Sequence, residues 1–110
     1  MSTPQLPVLT HLQFLVLGVL RNEDLPGRAL REALSGYGIR RTWPAFYQLM
    51  ARIERAGLVE GWYEQVTVGD QAVTERRYRI TRDGTRQWAA AHAFYEELAR
   101  LPAHVRWSDA

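Results

Sequence analysis

The sequence predicts a mainly α-helical protein with one small β-hairpin, an α+β fold in the order helix, helix, helix, strand, strand, helix. Apolar residues recur at helical spacing in three consecutive segments, which together use about the first sixty residues. A stretch of aromatic and β-branched residues then indicates two strands, after which helical spacing returns. The 110 residues, 46% of them hydrophobic, suffice for one domain with its own core.

The first predicted helix spans Val8 to Arg21 and begins at Thr10 or just before it. Its apolar residues continue around nearly the whole circumference, instead of forming one stripe. Such a helix must be covered on several sides. We therefore expect the domain core on one side and a further helix or a partner subunit on another.

Two shorter helices are expected next. Asp24 is predicted to cap the second helix, which runs through Ser35 and has Pro26 in its first turn. Thr42 is predicted to cap the third helix, residues 42–57, which ends at a glycine. The third helix has an apolar face for the core and an opposite face of small, polar and basic side chains.

The hairpin is predicted to join a strand at Val59–Val68 to a strand at Arg76–Ile80 through a loop at 69–75. Thr81 is expected to cap the last helix, which continues towards Pro102. Helical spacing and Ala-rich composition both favour this last helix.

Three helices followed by a hairpin form a winged helix-turn-helix domain, predicted over residues 8–81, and the C-terminal helix at 82–101 is additional. The net charge is only +2, but arginine is clustered. Residues 28–55 contain six Arg and two acidic residues, and residues 76–86 contain five Arg and one. Residues 56–75 contain four acidic residues and no basic ones. The basic clusters fit a phosphate-binding surface, with ordinary solvated surface as the alternative.

The composition argues against an enzyme, a metal site or a cofactor. There is no cysteine, and the three histidines (His11, His92 and His104) are far apart in the sequence. No glycine-rich phosphate loop is present. Neither a signal peptide nor a membrane span is predicted, so the expected location is the cytoplasm.

The third helix is the candidate DNA-reading element. Gln48 has the donor and acceptor that pair with an adenine edge, and Arg52 and Arg55 suit guanine or phosphate. In the hairpin, alternation places Arg77 and Arg79 on one face, and Arg79 has pairing with an acidic residue as its alternative role. The predicted DNA-binding residues are Arg40, Arg41, Thr42, Ala45, Tyr47, Gln48, Arg52, Arg55, Arg76 and Arg77. The rival interpretation is a winged helix that docks another protein, with a merely solvated charged face.

In these segments the sequence resembles the PadR family of winged-helix transcription regulators, over about residues 9–100. The similarity lies in the apolar run Leu12 to Leu20, in Ala45-Phe46-Tyr47 through Gly57-Leu58-Val59, and in Tyr78-Arg79-Ile80-Thr81 through Gly84. The chain departs from the family pattern at Pro26-Gly27-Arg28. It also departs at the start of the third helix, Thr42-Trp43-Pro44-Ala45, so base contacts from that turn are not carried over.

The resemblance implies a homodimer formed through the last helix, in agreement with its apolar stripe, and a repressor that binds a palindromic operator in double-stranded DNA. It also implies a small aromatic or hydrophobic effector near Tyr95, with Trp88 and His92, and with Phe94 and Trp107 completing the pocket. Plain core packing is the alternative for these aromatic residues. The predicted dimerisation residues are Phe14, Leu17, Trp88, Ala91, Tyr95 and Leu98.

Overall fold

A computed structural model describes residues 5–101 and confirms the α+β fold class, with four helices and a three-stranded antiparallel sheet in this part of the chain. The elements are α1 (His11–Leu20), β1 (Leu25–Pro26), α2 (Gly27–Gly36), α3 (Trp43–Arg55), β2 (Val59–Val68), β3 (Gln71–Ile80) and α4 (Arg82–Ala99). Trp107 and His104 lie outside the described residues. None of the helices within residues 5–101 is long and apolar enough to cross a membrane.

The core forms where α1, α2 and α3 pack on the base of the hairpin. Phe46 of α3 is fully buried, and its ring meets that of Tyr78 of β3 edge-on, with 6.2 Å between the ring centroids. At the predicted start of α1, the Thr10 hydroxyl accepts the N–H of Gln13, whose side chain accepts the N–H of Thr10. This capping box fixes the beginning of the apolar helix.

The start of α2 differs from the prediction that Asp24 caps it. Leu25 and Pro26 instead form a short edge strand that pairs with Tyr78 and Arg77 of β3, and Pro26 occupies the N-cap position. A proline fits there because an edge strand does not need its N–H on the open side. The Asp24 carboxylate lies 3.9 Å from the Arg77 guanidinium. A two-residue strand that pairs with residues so far along the sequence has no local sequence pattern from which it could be predicted.

The hairpin is longer than predicted. β2 has the predicted bounds, but β3 begins at Gln71, so the predicted loop at 69–75 is reduced to the two-residue turn Gly69-Asp70. Gly69 adopts φ +63°, a conformation that a tight hairpin turn requires and that glycine adopts without strain. Both strands therefore extend well beyond the helical core.

A hydrogen-bonded junction joins the end of α3 to the start of α4. Gly57 ends α3 with φ +78°, and the Leu58 N–H donates back to the Ile53 carbonyl. The Thr81 hydroxyl donates to the Gly57 carbonyl at 2.7 Å and accepts the N–H of Gly84 at 2.9 Å. Thr81 is thus the predicted cap of α4 and also connects that helix to α3.

The predicted dimerisation residues fall into two groups. Leu17 and Ala91 are fully buried in the chain's own core, so the prediction that they contact a second subunit is wrong. The helices α1 and α4 pack on each other at these two residues, whose side chains keep no solvent-accessible surface for a partner subunit. Phe14, Trp88 and Tyr95 are partly exposed, and Leu98 is 51% exposed.

Candidate nucleic-acid interface

The exposed face of α3 is defined by its buried one. The buried residues of α3 are Phe46, Leu49, Met50 and Ile53. Gln48, Ala51 and Arg55 follow one another at spacings of three and four on the opposite side, and Arg52 flanks them. The predicted working residues Gln48, Arg52 and Arg55 are all exposed.

A small residue does lie at the centre of this face, but it is Ala51 and not the predicted Ala45. Ala45 stands one turn before the buried Leu49, on the edge of the core-facing side, and its N–H donates to the Thr42 hydroxyl at 3.3 Å. Thr42 is exposed and caps α3 as predicted. The spacing from Gln48 to Arg55 would have indicated Ala51 from the sequence alone.

Four exposed arginines lie around α3. Arg40 and Arg41 precede the helix, and Arg52 and Arg55 lie in its last turn. All four are exposed, and within residues 5–101 none has a carboxylate oxygen within 4.0 Å of its guanidinium nitrogens. Their positive charge is therefore available to an anionic partner.

Trp43 supports the beginning of α3. Its ring stacks on Tyr47 at 5.6 Å, and the Arg31 guanidinium carbon lies 4.6 Å from the Trp43 ring centroid. Arg31 also donates to the Arg41 carbonyl at 2.8 Å. These contacts tie α2 to the turn that presents Arg40 and Arg41, and they place Trp43 as a prop for the helix start.

Unlike the arginines around α3, the hairpin arginines pair with carboxylates of the same chain. Arg76 pairs with Glu54 at 2.9 Å, Arg79 pairs with Glu60 at 2.6 Å, and Arg77 pairs with three carboxylates. The side chains of Arg76 and Arg77 are only 21% exposed. The contact of these two arginines with DNA stays a prediction, and their guanidinium groups are held by carboxylates of the same chain. Pairing of Arg79, the alternative left open above, is what the structure has.

Charge counts agree with this arrangement. The two strands and their turn, residues 59–80, contain four acidic residues and three Arg, which gives a net charge of −1. The hairpin is therefore not a basic wing. Within residues 5–101, the positive charge of the predicted site that has no acidic partner lies on α3 and on the turn before it.

A groove of about 710 Å³ separates α3 from the hairpin. Tyr47, Ala51 and Arg55 line it on the helix side, and Tyr63 and Arg76 line it on the strand side. Tyr47, a predicted site residue, is 45% exposed here, and Tyr63, which was not predicted, is 69% exposed. Only the pairing register of β2 and β3 brings Tyr63 opposite Arg76, so local sequence patterns could not reveal it.

Two groups at the base of the groove have shifted pKa values. Partial burial on its own would lower the pKa of Arg76, but the hydrogen bond and the charge of Glu54 outweigh it and raise that pKa. Burial raises the pKa of Tyr78, and the neighbouring Arg76 charge opposes this only in part. Arg76 therefore stays cationic and Tyr78 stays neutral across the pH range in which the protein would bind a partner.

The predicted effector residues lie in an aromatic cluster between α1 and α4. Trp88 stacks on Phe14 at 5.5 Å and on His92 at 5.0 Å, and Tyr95 meets Phe14 edge-on at 5.6 Å. Within the described part of the chain, the buried Trp88 Nε1–H has no hydrogen-bond partner. Phe94 contacts Tyr95 at 5.3 Å. Among residues 5–101 no group of three metal-ligating side chains occurs.

Comparison with known proteins gives matches among solved structures only. No family model matches the sequence, and no curated protein does. A PadR family transcriptional regulator from Eggerthella lenta is 32% identical, with 80% of this chain and 74% of that chain covered and a TM-score of 0.59. The fold is shared with a PadR-like regulator from Bacillus cereus, which is 20% identical, with 80% of this chain and 84% of that chain covered and a TM-score of 0.66. It is also shared with a PadR family regulator from Clostridium difficile, which is 13% identical, with 83% of this chain and 93% of that chain covered and a TM-score of 0.69.

Proposed function

Because the chain belongs to the PadR family of transcriptional regulators, which are not enzymes, we propose that it binds specific double-stranded DNA through α3. One observation carries the proposal: exposed arginines that have no acidic partner among residues 5–101 surround α3, whereas every hairpin arginine is paired within the chain. DNA affinity depends largely on cations that neutralise phosphates. The paired hairpin arginines supply little of that charge.

In the proposed complex α3 lies in the major groove. Gln48 and Arg52 or Arg55 contact base edges, while Arg40 and Arg41 contact phosphates beside the N-terminus of the helix. The small side chain of Ala51 allows close approach at the centre of the face. The hairpin lies along the DNA backbone without forming the main ionic contacts.

We further propose that the protein is a homodimer. Two of the exposed large apolar side chains are at the end of α4, Leu98 and Leu101, and two precede α1, Leu6 and Val8. A surface of this kind favours burial against a second copy. Two α3 helices related by a twofold axis would read a palindrome. Light scattering at micromolar concentration should give twice the chain mass, and a monomer would contradict this proposal.

The regulatory role proposed is repression in the cytoplasm, by occluding a promoter until a small aromatic or hydrophobic inducer binds. The region around Trp88, His92 and Tyr95 supports this, since Trp88 has a buried donor without a partner among residues 5–101 and buried donors are normally satisfied.

The alternative is a winged helix that docks another protein. The ion-paired hairpin favours this alternative, because a DNA-reading wing normally presents free cations. The unpaired arginines of α3 favour DNA. A protein partner would then have to be acidic and would compete with DNA for α3.

Selection of bound fragments from random duplex DNA tests the proposed function. We expect enrichment of one palindromic sequence, with half-sites about one helical turn apart. The Gln48→Ala variant is expected to enrich a less defined sequence, since it loses a base contact worth about 1–3 kcal/mol. A wild-type pool with no enriched sequence would contradict specific DNA binding.

A further inference from the structure

An ion pair joins α3 to the hairpin across the groove. The Arg76 guanidinium donates to both carboxylate oxygens of Glu54, at 2.9 and 3.1 Å. Glu54 lies in the last turns of α3, and Arg76 lies at the point of β3 where the hairpin leaves the core. The pair therefore joins the proposed reading helix to the proposed wing.

Aromatic rings hold the same guanidinium in place. The Arg76 guanidinium carbon lies 4.8 Å from the ring centroid of Tyr63 and 5.6 Å from that of Tyr78. Contacts of a guanidinium with ring faces restrict its orientation as well as adding attraction. Arg76 has few alternative positions.

Gly61 leaves the space in which the pair lies. A Cβ atom at this residue would come within 2.5 Å of a Glu54 carboxylate oxygen and 2.7 Å of an Arg76 guanidinium nitrogen. Both atoms are at the ends of flexible side chains. A methyl group at this position would displace the two side chains of the ion pair without moving the backbone.

An acidic residue beside a phosphate-binding helix has an electrostatic disadvantage. Glu54 immediately precedes Arg55 in α3, and both residues line the groove. On charge alone, its removal should strengthen DNA binding. The presence of Glu54 at this position is explained if its structural effect on the groove outweighs the repulsion between its carboxylate and the DNA phosphates.

We propose that Glu54 and Arg76 are positioning residues, which fix the hairpin relative to α3 and so set the groove that accepts DNA. This inference rests on the proposed function. It assigns no direct DNA contact to either residue. Gly61 belongs to the same arrangement, because a Cβ atom at this position would occupy the space of the pair.

The first test compares three variants in binding to the selected DNA and to random DNA. Glu54→Gln is expected to weaken specific binding about tenfold, within the range for coupled charged neighbours, although it makes the protein more positive. Gly61→Ala should do the same with no change of charge. The exchanged pair, Glu54→Arg with Arg76→Glu, should recover most of the loss. Random-DNA affinity should stay the same or rise in Glu54→Gln, which a merely unfolded fraction would not produce.

Glu97→Gln is the matched control, since it removes one exposed carboxylate from α4 and should leave specific binding unchanged. Specific binding by Glu54→Gln that equals or exceeds the wild type would overturn the positioning role. So would failure of the exchanged pair to recover binding while Glu97→Gln behaves as expected.

A second measurement needs no DNA and therefore separates this inference from the proposed function. The chain has no cysteine, so spin labels can be attached at Ala56→Cys and Thr67→Cys, both exposed positions. In labelled protein diluted with unlabelled protein, the distance between labels should be narrowly distributed. The distribution should broaden in Glu54→Gln and in Gly61→Ala, and an unchanged distribution in both would overturn the inference.

Discussion

Replacing Arg52 and Arg55 together by alanine is expected to weaken binding to the selected DNA by at least about 100-fold. In the proposed complex each arginine would form an ionic or base contact worth about 1–3 kcal/mol, and two subunits would lose both. Neither residue has a carboxylate within 4.0 Å in the described part of the chain, so no ion pair is broken by the change. Fluorescence anisotropy with labelled duplex gives the dissociation constants directly.

The control for this double variant removes the same charge from paired arginines. Arg79 is held by Glu60 and Arg86 by Asp83, so Arg79→Ala with Arg86→Ala also lowers the net charge from +2 to zero. We expect binding within about threefold of the wild type, since these cations are largely neutralised within the chain. Equal losses in the two double variants would mean that net charge, and not the α3 surface, controls affinity.

Gly84→Ala is expected to destabilise the fold by about 3 kcal/mol, the upper part of the range for steric overpacking. A Cβ atom here would lie 2.2 Å from the Leu58 carbonyl oxygen, 3.1 Å from its carbonyl carbon and 2.9 Å from a side-chain carbon of Ile80. The Leu58 carbonyl cannot move away freely, because it accepts the Thr81 N–H at 3.0 Å. Urea unfolding measures the loss.

Gly36→Ala is the matched control for Gly84→Ala. Gly36 is also helical, but a Cβ atom there would have no atom within 4 Å. Alanine should leave stability unchanged or raise it by up to about 1 kcal/mol. Similar destabilisation by both substitutions would contradict the close packing of α4 on the start of β2.

The helices could be predicted from the sequence because their signals are local. Thr42 and Thr81 cap α3 and α4 as expected, and Gly57 ends α3 with the positive φ for which glycine is suited. The short strand β1 could not be predicted, since Leu25 and Pro26 become a strand only by pairing with residues some fifty positions later. The extension of β3 to Gln71 depends likewise on pairing with β2.

The charge of the hairpin, like β1, could not be predicted from local sequence patterns. Along the sequence the acidic segment 56–75 and the basic segment 76–86 are separate blocks. The antiparallel register folds one onto the other and places Glu60 opposite Arg79. A count in sequence windows therefore predicted a basic wing where the folded hairpin carries a net charge of −1. The α3 arginines escape this cancellation because, except for Glu54, no acidic residue lies within α3.

The salt dependence of binding to the selected DNA tests most directly whether α3 carries the contacts with DNA. The slope of log K against log salt changes by about 0.9 for each phosphate neutralised. For Arg52→Ala with Arg55→Ala we expect a slope about 2 to 4 units shallower than that of the wild type, the higher value if every arginine of a dimer contacts phosphate. Arg79→Ala with Arg86→Ala should keep the wild-type slope. A wild-type slope in the α3 double variant, or a shallower slope in the paired-arginine variant, would contradict the claim that α3 carries the contacts with DNA.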